Sequence, residues 1–366
     1  MKNNIDIYDK HEKKILKKIS NSEIQRFSPL CFIQNNFPHK VSSKDELIRY
    51  VDSMHNNDKF LNEDYKYNKN DKTIVGRIVG IIKEVTLKNF NQACVPFQTI
   101  LADLNAYKNI IKYIKFHSEK KNINVLEIGP GSGLLGLMLT LDKKIKYSSI
   151  EVTQAFYLWQ QLLYKKIDKK FVENDFSSDF LFTKKARIKQ IPWWHILIKK
   201  DKILDTNEHC EVIICNHALG EMHPDALVIY LKIIRKLLEN SQKKFSKNSF
   251  FLVSSLGQLH SSNQIEIYEK LNDAGFKIIF EKSLLVCVTK NSNIGKKIYF
   301  PKNILKNKII FFFTRILNRF FFKKMNYFKN TDIVNSDVLT WKDLFKNIKI
   351  VHSMEALFFQ FLKNKH

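Results

Sequence analysis

The sequence predicts an α/β fold built on a doubly wound, mostly parallel sheet. Apolar runs of strand length alternate with segments of helical periodicity between residues 119 and 295. The first run ends in a glycine-rich turn, and polar side chains follow the later runs. With 366 residues, 44% of them hydrophobic, the chain can bury a sizeable core. Because ligands of such sheets bind at the carboxyl ends of the strands, we expect the functional site there.

The segment 123–133 joins a strand to a helix through a turn that contains three glycines. The strand ends near Glu127, and an apolar helical segment, 134–141, follows the turn. The glycines are Gly129, Gly131 and Gly133. Glycine allows a tight turn and the close approach of a ligand, while the helix N-terminus offers unpaired N–H groups. The spacing therefore predicts a nucleotide-binding corner.

Two classes of ligand fit this corner. Gly131, Gly133 and Gly136 satisfy the G-x-G-x-x-G spacing of dinucleotide sites, and Glu151 follows at about the distance that such sites require. Glu127, however, would repel a pyrophosphate and attract a ligand that carries an amino group and a sulfonium. The acid therefore favours the cationic ligand. A purely structural strand–turn–helix is a third interpretation.

Polar side chains also end the second and third predicted strands. Glu151 lies at the end of the strand 146–152, where an ionised carboxylate can accept two hydroxyl donors side by side. A helix follows this strand. Asn174 and Asp175 end the predicted third strand, 171–175, and a ligand contact or a loop-capping role suits them equally well.

The fourth predicted strand, 210–215, is rich in apolar residues and suits a position that is buried on both faces. Its exit carries Asn216, His217, Glu221 and His223. Pro224 suits the first turn of a helix that extends to about residue 238. A strand at 249–255, a helix at 265–274 and strand-like residues at 276–288 complete the alternation.

The pattern E-x-G-x-G-x-G at residues 127–133 resembles motif I of the class I S-adenosylmethionine-dependent methyltransferases. The resemblance implies a seven-stranded, Rossmann-like sheet and S-adenosyl-L-methionine as the cofactor. It implies that Glu151 accepts hydrogen bonds from the ribose and that Asp175, with Asn174 beside it, contacts the adenine amine. The residues after the fourth strand match motif IV, beside the transferable methyl group. The implied cofactor-binding residues are Glu127, Gly129, Gly131, Gly133, Glu151, Asn174, Asp175 and Asn216.

Residues 126–133 and 216–222, with the bulky aromatic helix after Glu151, are similar to sugar O-methyltransferases of bacterial surface-glycan gene clusters. This resemblance covers about residues 95 to 290. It implies a sugar hydroxyl acceptor on a glycan or on a lipid- or nucleotide-linked precursor. An RNA or protein methyltransferase, and a non-catalytic relative that binds a nucleotide, are the alternatives.

A hydroxyl acceptor needs a base, because its oxygen is a poor nucleophile while protonated. His217 is the first candidate, Glu221 follows it closely, and His195 could reach the site from another segment. A structural role for His217, hydrogen-bonded to the backbone, is the alternative. Glu221 and His217 could jointly hold a divalent metal, as in some catechol-type enzymes, but the sequence offers no further carboxylate cluster, so we predict no metal site. Asn216 lacks the following Pro-Pro-aromatic sequence of enzymes that methylate base amines, which argues against such acceptors.

Residues 176–209 are interpreted as an insertion between the third and fourth strands. The insertion contains Trp193, Trp194 and His195 directly after a proline. Aromatic faces bind sugar rings well, so we predict that the two tryptophans, with His223, line the acceptor site. The alternative is that the tryptophans pack into the core.

The predicted domains are a helical N-terminal region (1–118), the cofactor-binding domain (119–295) and a basic aromatic extension (296–366). The N-terminal region is interpreted as a cap over the cleft or as a dimerisation arm. Within the extension, residues 296–330 are predicted to form a helix. This helix either lies in a membrane interface or packs on protein. The formal net charge of +25 is compatible with an anionic membrane or a nucleic acid. The sequence contains no arginine-rich recognition helix and no zinc-finger spacing.

The five cysteines are scattered and form no C-x-x-C pair, which predicts reduced thiols in a cytoplasm. The N-terminal residues show no apolar signal region, and no stretch reaches the length of about 18–20 apolar residues that spans a membrane. We therefore expect a cytoplasmic protein, with contact to the inner face of the membrane through residues 296–330 as a further hypothesis. The sequence makes no prediction of the oligomeric state.

Overall fold

The computed structural model describes residues 2–27, 40–51, 67–168, 170, 181–182, 186–205, 207–257, 264–281, 284–292 and 349–350. The predicted third strand at 171–175, with Asn174 and Asp175, lies outside these residues. The segment 296–330 lies outside them as well.

The strands of the described chain form one large sheet and one small one. In chain order they are β1 (Cys94–Val95), β2 (Ile123–Ile128), β3 (Ile145–Glu151), β4 (Ile188–Pro192), β5 (Val212–Asn216), β6 (Phe250–Ser255), β7 (Phe276–Glu281), β8 (Leu284–Thr289) and β9 (Lys349–Ile350). The large sheet has seven strands in the order β4-β3-β2-β5-β6-β8-β7. Its first five strands in that order are parallel, and β8 pairs antiparallel with β6 and β7. Strands β1 and β9 form a separate parallel pair.

The helices cover both faces of this sheet. They are α1 (Lys2–Leu16), α2 (Asn21–Phe27), α3 (Lys69–Phe90), α4 (Phe97–Lys115), α5 (Leu134–Leu139), α6 (Gln154–Ile167), α7 (Trp193–Asp205), α8 (Pro224–Phe245) and α9 (Gln264–Asp273). Short 3₁₀ turns occur at Asp45–Tyr50 and Leu219–Glu221. None of the described helices is long and apolar enough to cross a bilayer.

Adjacent residues of each central strand belong to different hydrophobic cores, because side chains of a strand alternate between its faces. In β2, Val125 packs with helices α3 to α5, whereas Leu126 packs with α7 to α9. In β5, Ile214 and Ile213 divide in the same way. Both faces of the sheet are therefore buried, and the predicted doubly wound, mostly parallel sheet is confirmed.

Helix α8 shows how local sequence sets an element boundary. Pro224 occupies its first turn, as predicted, and His223 precedes it as the N-cap. The Nδ1 atom of His223 accepts a hydrogen bond from the backbone N–H of Asp225 at 3.2 Å. The helix extends to Phe245, beyond the predicted end near 238, and stops at Ser246, which is left-handed. Over this extra length Ser241 is buried, and its hydroxyl donates to Oε1 of Glu211 at 3.4 Å.

The strand β4 corrects the interpretation of residues 176–209 as an insertion. Residues 188–192 pair in parallel with β3, with Glu151 opposite Pro192, and α7 starts at once after them. The sequence analysis did not predict this strand, because Lys189 and Gln190 are polar and polar residues are uncommon in a buried strand. The Gln190 amide donates to the carbonyl of Tyr157 and to Oε1 of Gln160, so its NH2 group is satisfied inside the fold.

The N-terminal helices lie across the carboxyl edge of the sheet. The Tyr8 ring of α1 contacts the Trp194 ring of α7 at a centroid distance of 4.5 Å. The Gln154 amide, at the start of α6, donates to Asp9 at 2.8 Å. Arg26 of α2 forms an ion pair with Asp225 of α8 at 3.2 Å. The starts of α6, α7 and α8 directly follow β3, β4 and β5, so α1 and α2 cover the edge where a ligand would bind.

Gly136→Ala is expected to destabilise the protein by about 1–3 kcal/mol, because the added methyl would overpack α5 against β3. Its Cβ would lie 2.2 Å from the Tyr147 hydroxyl and 2.6 Å from the Tyr164 hydroxyl, and both rings are fully buried. Chemical unfolding of the purified variant measures the loss. Gly80→Ala on α3 is the matched control, since its Cβ meets nothing within 4 Å and should stabilise by about 0.5–1 kcal/mol. Equal stability of Gly136→Ala and the wild type would contradict this account of the packing.

Candidate functional site

The candidate site lies where the chain reverses its direction across the sheet. From β2 the chain proceeds outward to β3 and β4, and β5 then returns to the other side of β2. The loops after β2 and β5 therefore diverge and leave a crevice, which is the usual ligand site of open α/β sheets. Gly129 has a φ of 67°, and a Cβ there would lie 2.6 Å from the Cβ of Ala218. The two loops thus approach so closely that only glycine fits.

Side chains of α6 hold the carbonyl groups of the glycine turn. The Gln160 amide donates to the Gly131 carbonyl at 2.7 Å, and the Trp159 indole donates to the Ser132 carbonyl at 3.1 Å. The Tyr164 hydroxyl, whose proton the nearer Tyr147 hydroxyl accepts at 3.2 Å, lies 3.5 Å from the Gly133 carbonyl oxygen. Sequence reasoning did not assign these three side chains, although the bulky aromatic character of this helix was a signal. The turn is therefore rigid before any ligand binds.

The N–H groups of the three glycines are also occupied. Gly129 donates to the Ile150 carbonyl at 3.0 Å, and Gly133 donates to the Pro130 carbonyl at 2.9 Å. Gly131 donates to Oε2 of Glu151 at 3.1 Å. A pyrophosphate would need such N–H groups as donors. The internal bonding of the turn therefore argues against the dinucleotide interpretation.

Glu127 is a fully buried carboxyl group at the centre of the crevice. Its Oε2 accepts a hydrogen bond from the Tyr147 hydroxyl at 2.6 Å, whereas Oε1 has no hydrogen-bond partner. Burial raises the pKa of Glu127 to about 8, and the neighbouring charges of Asp103 and Glu151 add to the rise. A positively charged group that approaches Oε1 would therefore stabilise the ionised form of Glu127.

Glu151 is the last residue of β3, and three hydrogen-bond donors orient its carboxylate. Oε1 accepts from the Thr153 N–H at 2.8 Å, and Oε2 accepts from the Gly131 N–H and the Gln160 amide, both at 3.1 Å. Burial nevertheless raises the pKa of Glu151 to about 7, against the lowering effect of these hydrogen bonds. A carboxylate has about four acceptor positions, so one more donor can bind without displacing the present ones.

In the described part of the chain, no lysine, arginine or histidine forms an ion pair with Glu127 or Glu151. Glu211, an equally buried acid at the opposite edge of the sheet, has such a partner in Lys120 at 3.0 Å. A buried carboxylate without a cation is costly to ionise. The crevice therefore has the electrostatic character that fits a cationic ligand, and an S-adenosylmethionine molecule carries both an ammonium and a sulfonium.

Asn216 is held between two residues that sequence reasoning missed. Its amide donates to Oδ1 of Asp103 on α4 at 3.2 Å, and its oxygen accepts a hydrogen bond from the Ser254 hydroxyl. A register shift between Cys215 and Asn216 turns this strand end toward the crevice. The signal in the sequence was an acid, Asp103, within an otherwise apolar helical stretch. Asp103 thus links α4 to the predicted motif IV residue Asn216.

His217 is exposed and has a left-handed backbone, with a φ of 63°. The other described non-glycine residues with positive φ, Asn91 and Ser246, are helix C-caps, where this conformation is common. Gly257 lies so close that a Cβ there would be 2.0 Å from the His217 carbonyl oxygen and 3.1 Å from Oε1 of Glu221. Backbone strain of this kind is frequent at functional sites. The structure therefore brings His217 and Glu221 together beside the crevice.

Two predicted acceptor-site residues and one predicted base are buried in the core. Trp193 and Trp194 are only 2% and 1% exposed, and the Trp193 indole donates to Oε1 of Glu12 at 3.3 Å. His195, predicted as a further base, is 1% exposed in the first turn of α7. The prediction of an acceptor wall is corrected for these residues, because α1 covers them. His223 is partly exposed, but its Nδ1 caps α8.

Within the described ranges, no three His, Cys, Asp or Glu side chains come together as metal ligands. Cys94, Cys210, Cys215 and Cys287 are buried thiols.

No protein-family model matches the sequence, and no curated protein matches it. Solved structures show a distant likeness. The magnesium protoporphyrin IX methyltransferase ChlM of Synechocystis PCC 6803, solved with bound S-adenosylmethionine, is 13% identical; the match covers 62% of this chain and 99% of that one at a TM-score of 0.34. A TehB-like S-adenosylmethionine-dependent methyltransferase of Corynebacterium glutamicum is 10% identical, with 52% and 97% covered and a TM-score of 0.30. The [4+2]-cyclase SpnF is 13% identical, with 57% and 72% covered and a TM-score of 0.32. Likenesses this weak assign no activity, which must be argued from the residues of the site.

Glu127→Gln is expected to stabilise the ligand-free protein by about 2–4 kcal/mol at pH 9 and to change it little at pH 5. The raised pKa means that the folded protein holds this proton more tightly than the unfolded chain. Stability is therefore lost as the pH rises from the unfolded pKa through about 8, and glutamine removes that loss. Unfolding midpoints at both pH values measure the effect.

Glu211→Gln is the matched control for this prediction. Its carboxylate accepts from Lys120 at 3.0 Å and from the Asn124 N–H at 2.6 Å, so the substitution should destabilise by about 3–5 kcal/mol at both pH values. A loss of stability at pH 9 in Glu127→Gln would show that the Glu127 charge is compensated inside the free protein, contrary to the site described above.

Proposed function

We propose that the protein is an S-adenosylmethionine-dependent methyltransferase that transfers the methyl group to a hydroxyl acceptor. One observation carries the proposal: the buried Glu127 has an oxygen without a partner at the switch point of the sheet, below a glycine turn whose N–H groups are already bonded. A cationic nucleoside satisfies this arrangement, whereas a pyrophosphate does not.

Different residues of the crevice would bind different parts of S-adenosylmethionine. Glu127 would accept from the ammonium group, Glu151 would accept from a ribose hydroxyl, and the glycine turn would allow the close approach of both. Asn216, fixed by Asp103, would lie beside the sulfonium. When bound, the cofactor would supply an electrophilic methyl carbon on a positively charged sulfur, and the thioether would be the leaving group of the transfer to the acceptor oxygen. Proximity and orientation contribute much of the rate enhancement of such a transfer.

His217 is proposed as the base that removes the acceptor's hydroxyl proton. It is exposed at the end of β5, next to Asn216, and Glu221 lies beside the same turn, where a carboxylate would stabilise the imidazolium that forms. The need for a base agrees with an oxygen acceptor rather than a more basic amine.

A sugar hydroxyl on a glycan, or on a lipid- or nucleotide-linked precursor, is the proposed acceptor. Support for the sugar comes from the resemblance of residues 216–222, and support for a large carrier comes from the exposure of His217. Because the base is at the surface, the acceptor hydroxyl can be presented by a molecule that stays outside the crevice. RNA is a second candidate acceptor, favoured by the net charge of +25. A steep fall of RNA binding with salt, accompanied by methylation of RNA and not of sugars, would identify it.

S-adenosylhomocysteine is expected to bind the purified protein with micromolar affinity in calorimetric titration, while NAD does not bind. The affinity should rise between pH 6 and pH 8.5, because Glu151 and Glu127, with pKa values of about 7 and about 8, accept hydrogen bonds best when ionised. Glu151→Gln should weaken binding and flatten the pH dependence. Binding of NAD alone would refute the proposed cofactor.

His217→Asn is expected to leave the affinity for S-adenosylhomocysteine unchanged and to lower kcat by about 10²–10⁴-fold. Asparagine tolerates the left-handed backbone at this position but cannot act as a base. Steady-state kinetics with a sugar acceptor found by screening would measure the effect, and His209→Asn, which lies before β5 at the opposite end of that strand, serves as the control. Full activity of His217→Asn would place the base elsewhere.

A further inference from the structure

Tyr230 on α8 carries a buried hydroxyl group that the fold does not use. The residue is 3% exposed, and its hydroxyl has no hydrogen-bond partner. An unsatisfied buried hydroxyl destabilises the free protein, so such groups usually have a water or a ligand as partner. Neither motif of the sequence includes Tyr230.

Tyr230 lies in the second turn of α8, and this helix starts at the carboxyl edge of the sheet, directly after the exit of β5. Burial, with smaller contributions from the charges of Glu151 and Cys215, raises the pKa of Tyr230. Glu151 ends β3, and Cys215 is the penultimate residue of β5. The end of β2, where the glycine turn begins, lies between these two strands. The charges that act on the hydroxyl thus come from the carboxyl ends of β3 and β5, on either side of β2, which agrees with a position at this edge of the sheet.

Helix α2 holds the Tyr230 ring in this position. The Phe27 ring packs on it at a centroid distance of 6.1 Å, and Phe27 is itself 4% exposed. The ion pair between Arg26 and Asp225, 3.2 Å, joins the end of α2 to the first turn of α8. Because the ring is enclosed on this side, its hydroxyl cannot turn outward to water.

We propose that the Tyr230 hydroxyl donates a hydrogen bond to the nucleoside part of the bound cofactor, and this inference rests on the function proposed above. The nucleoside is favoured over the amino acid part because Tyr230 is near Glu151, the proposed ribose acceptor. It is favoured over the methyl acceptor because the proposed base, His217, is exposed, whereas Tyr230 is enclosed. Tyr230 would thus be a cofactor-contact residue supplied from outside the two motifs.

Tyr230→Phe tests this role by calorimetric titration and thermal unfolding of the full chain. The ligand-free variant should unfold at the same or a higher temperature than the wild type, because no internal hydrogen bond is lost. Its affinity should fall roughly five- to tenfold for S-adenosylhomocysteine and by the same factor for 5′-methylthioadenosine, which lacks the amino acid. Glu127→Gln should weaken only the former ligand, which separates the two ends of the cofactor.

Tyr107→Phe is the control substitution, since Tyr107 is a partly buried tyrosine of α4 near Asp142, in the loop at the opposite edge of the sheet. It should leave both affinities unchanged. Equal affinities of Tyr230→Phe and the wild type would overturn the inference alone, and so would a clear loss of thermal stability, which would reveal a structural partner. Absence of S-adenosylhomocysteine binding to the wild type would overturn the inference together with the proposed function.

Discussion

The close packing of α5 and α6 against β3 is the constraint on which the site depends. Tyr147 of β3 donates to Glu127 of β2, and Tyr164 of α6 donates in turn to the Tyr147 hydroxyl at 3.2 Å. These two hydroxyls occupy the space that a side chain at Gly136 would fill. The same helix α6 ties down the glycine turn through its carbonyl groups. The position of the buried acid and the shape of the turn are thus consequences of one packing arrangement.

This arrangement stabilises the glycine turn, but it disfavours the ionised forms of the two acids beside it. Glu127 and Glu151 are removed from water without a cation, and burial raises the pKa of each. Tyr230 adds a hydroxyl that no group of the fold satisfies. A buried polar group that lacks a partner in a native fold calls for an explanation, and a ligand that completes it is one such explanation. The free energy that the free protein loses at these residues is available to a ligand with complementary charge and donors.

The N-terminal helices complete the enclosure of the site. Helix α1 buries Trp193 and Trp194, and α2 backs Tyr230 through Phe27. Polar contacts, such as that between Gln154 and Asp9 at 2.8 Å, join this region to the helices that follow β3 to β5. His217 stays exposed at the other side of the crevice. On the function proposed above, the fold would separate an enclosed cofactor region from an open reaction edge.

The sequence by itself determined the elements whose signals are local: the alternation of strands and helices, the acid and glycines of the first turn, Glu151 at the end of β3 and Pro224 at the start of α8. Each depends on a few neighbouring residues, whose spacing and backbone preferences are visible in the chain. Only the tertiary structure decided that residues 188–192 form the strand β4, that Trp193 and Trp194 belong to the core, and that Asp103 meets Asn216. Those outcomes depend on partners far away in sequence, because a polar or aromatic side chain is placed by what satisfies it after folding. The roles of Gln190, Asp103 and Tyr230 become visible only when the folded sheet brings their neighbours together.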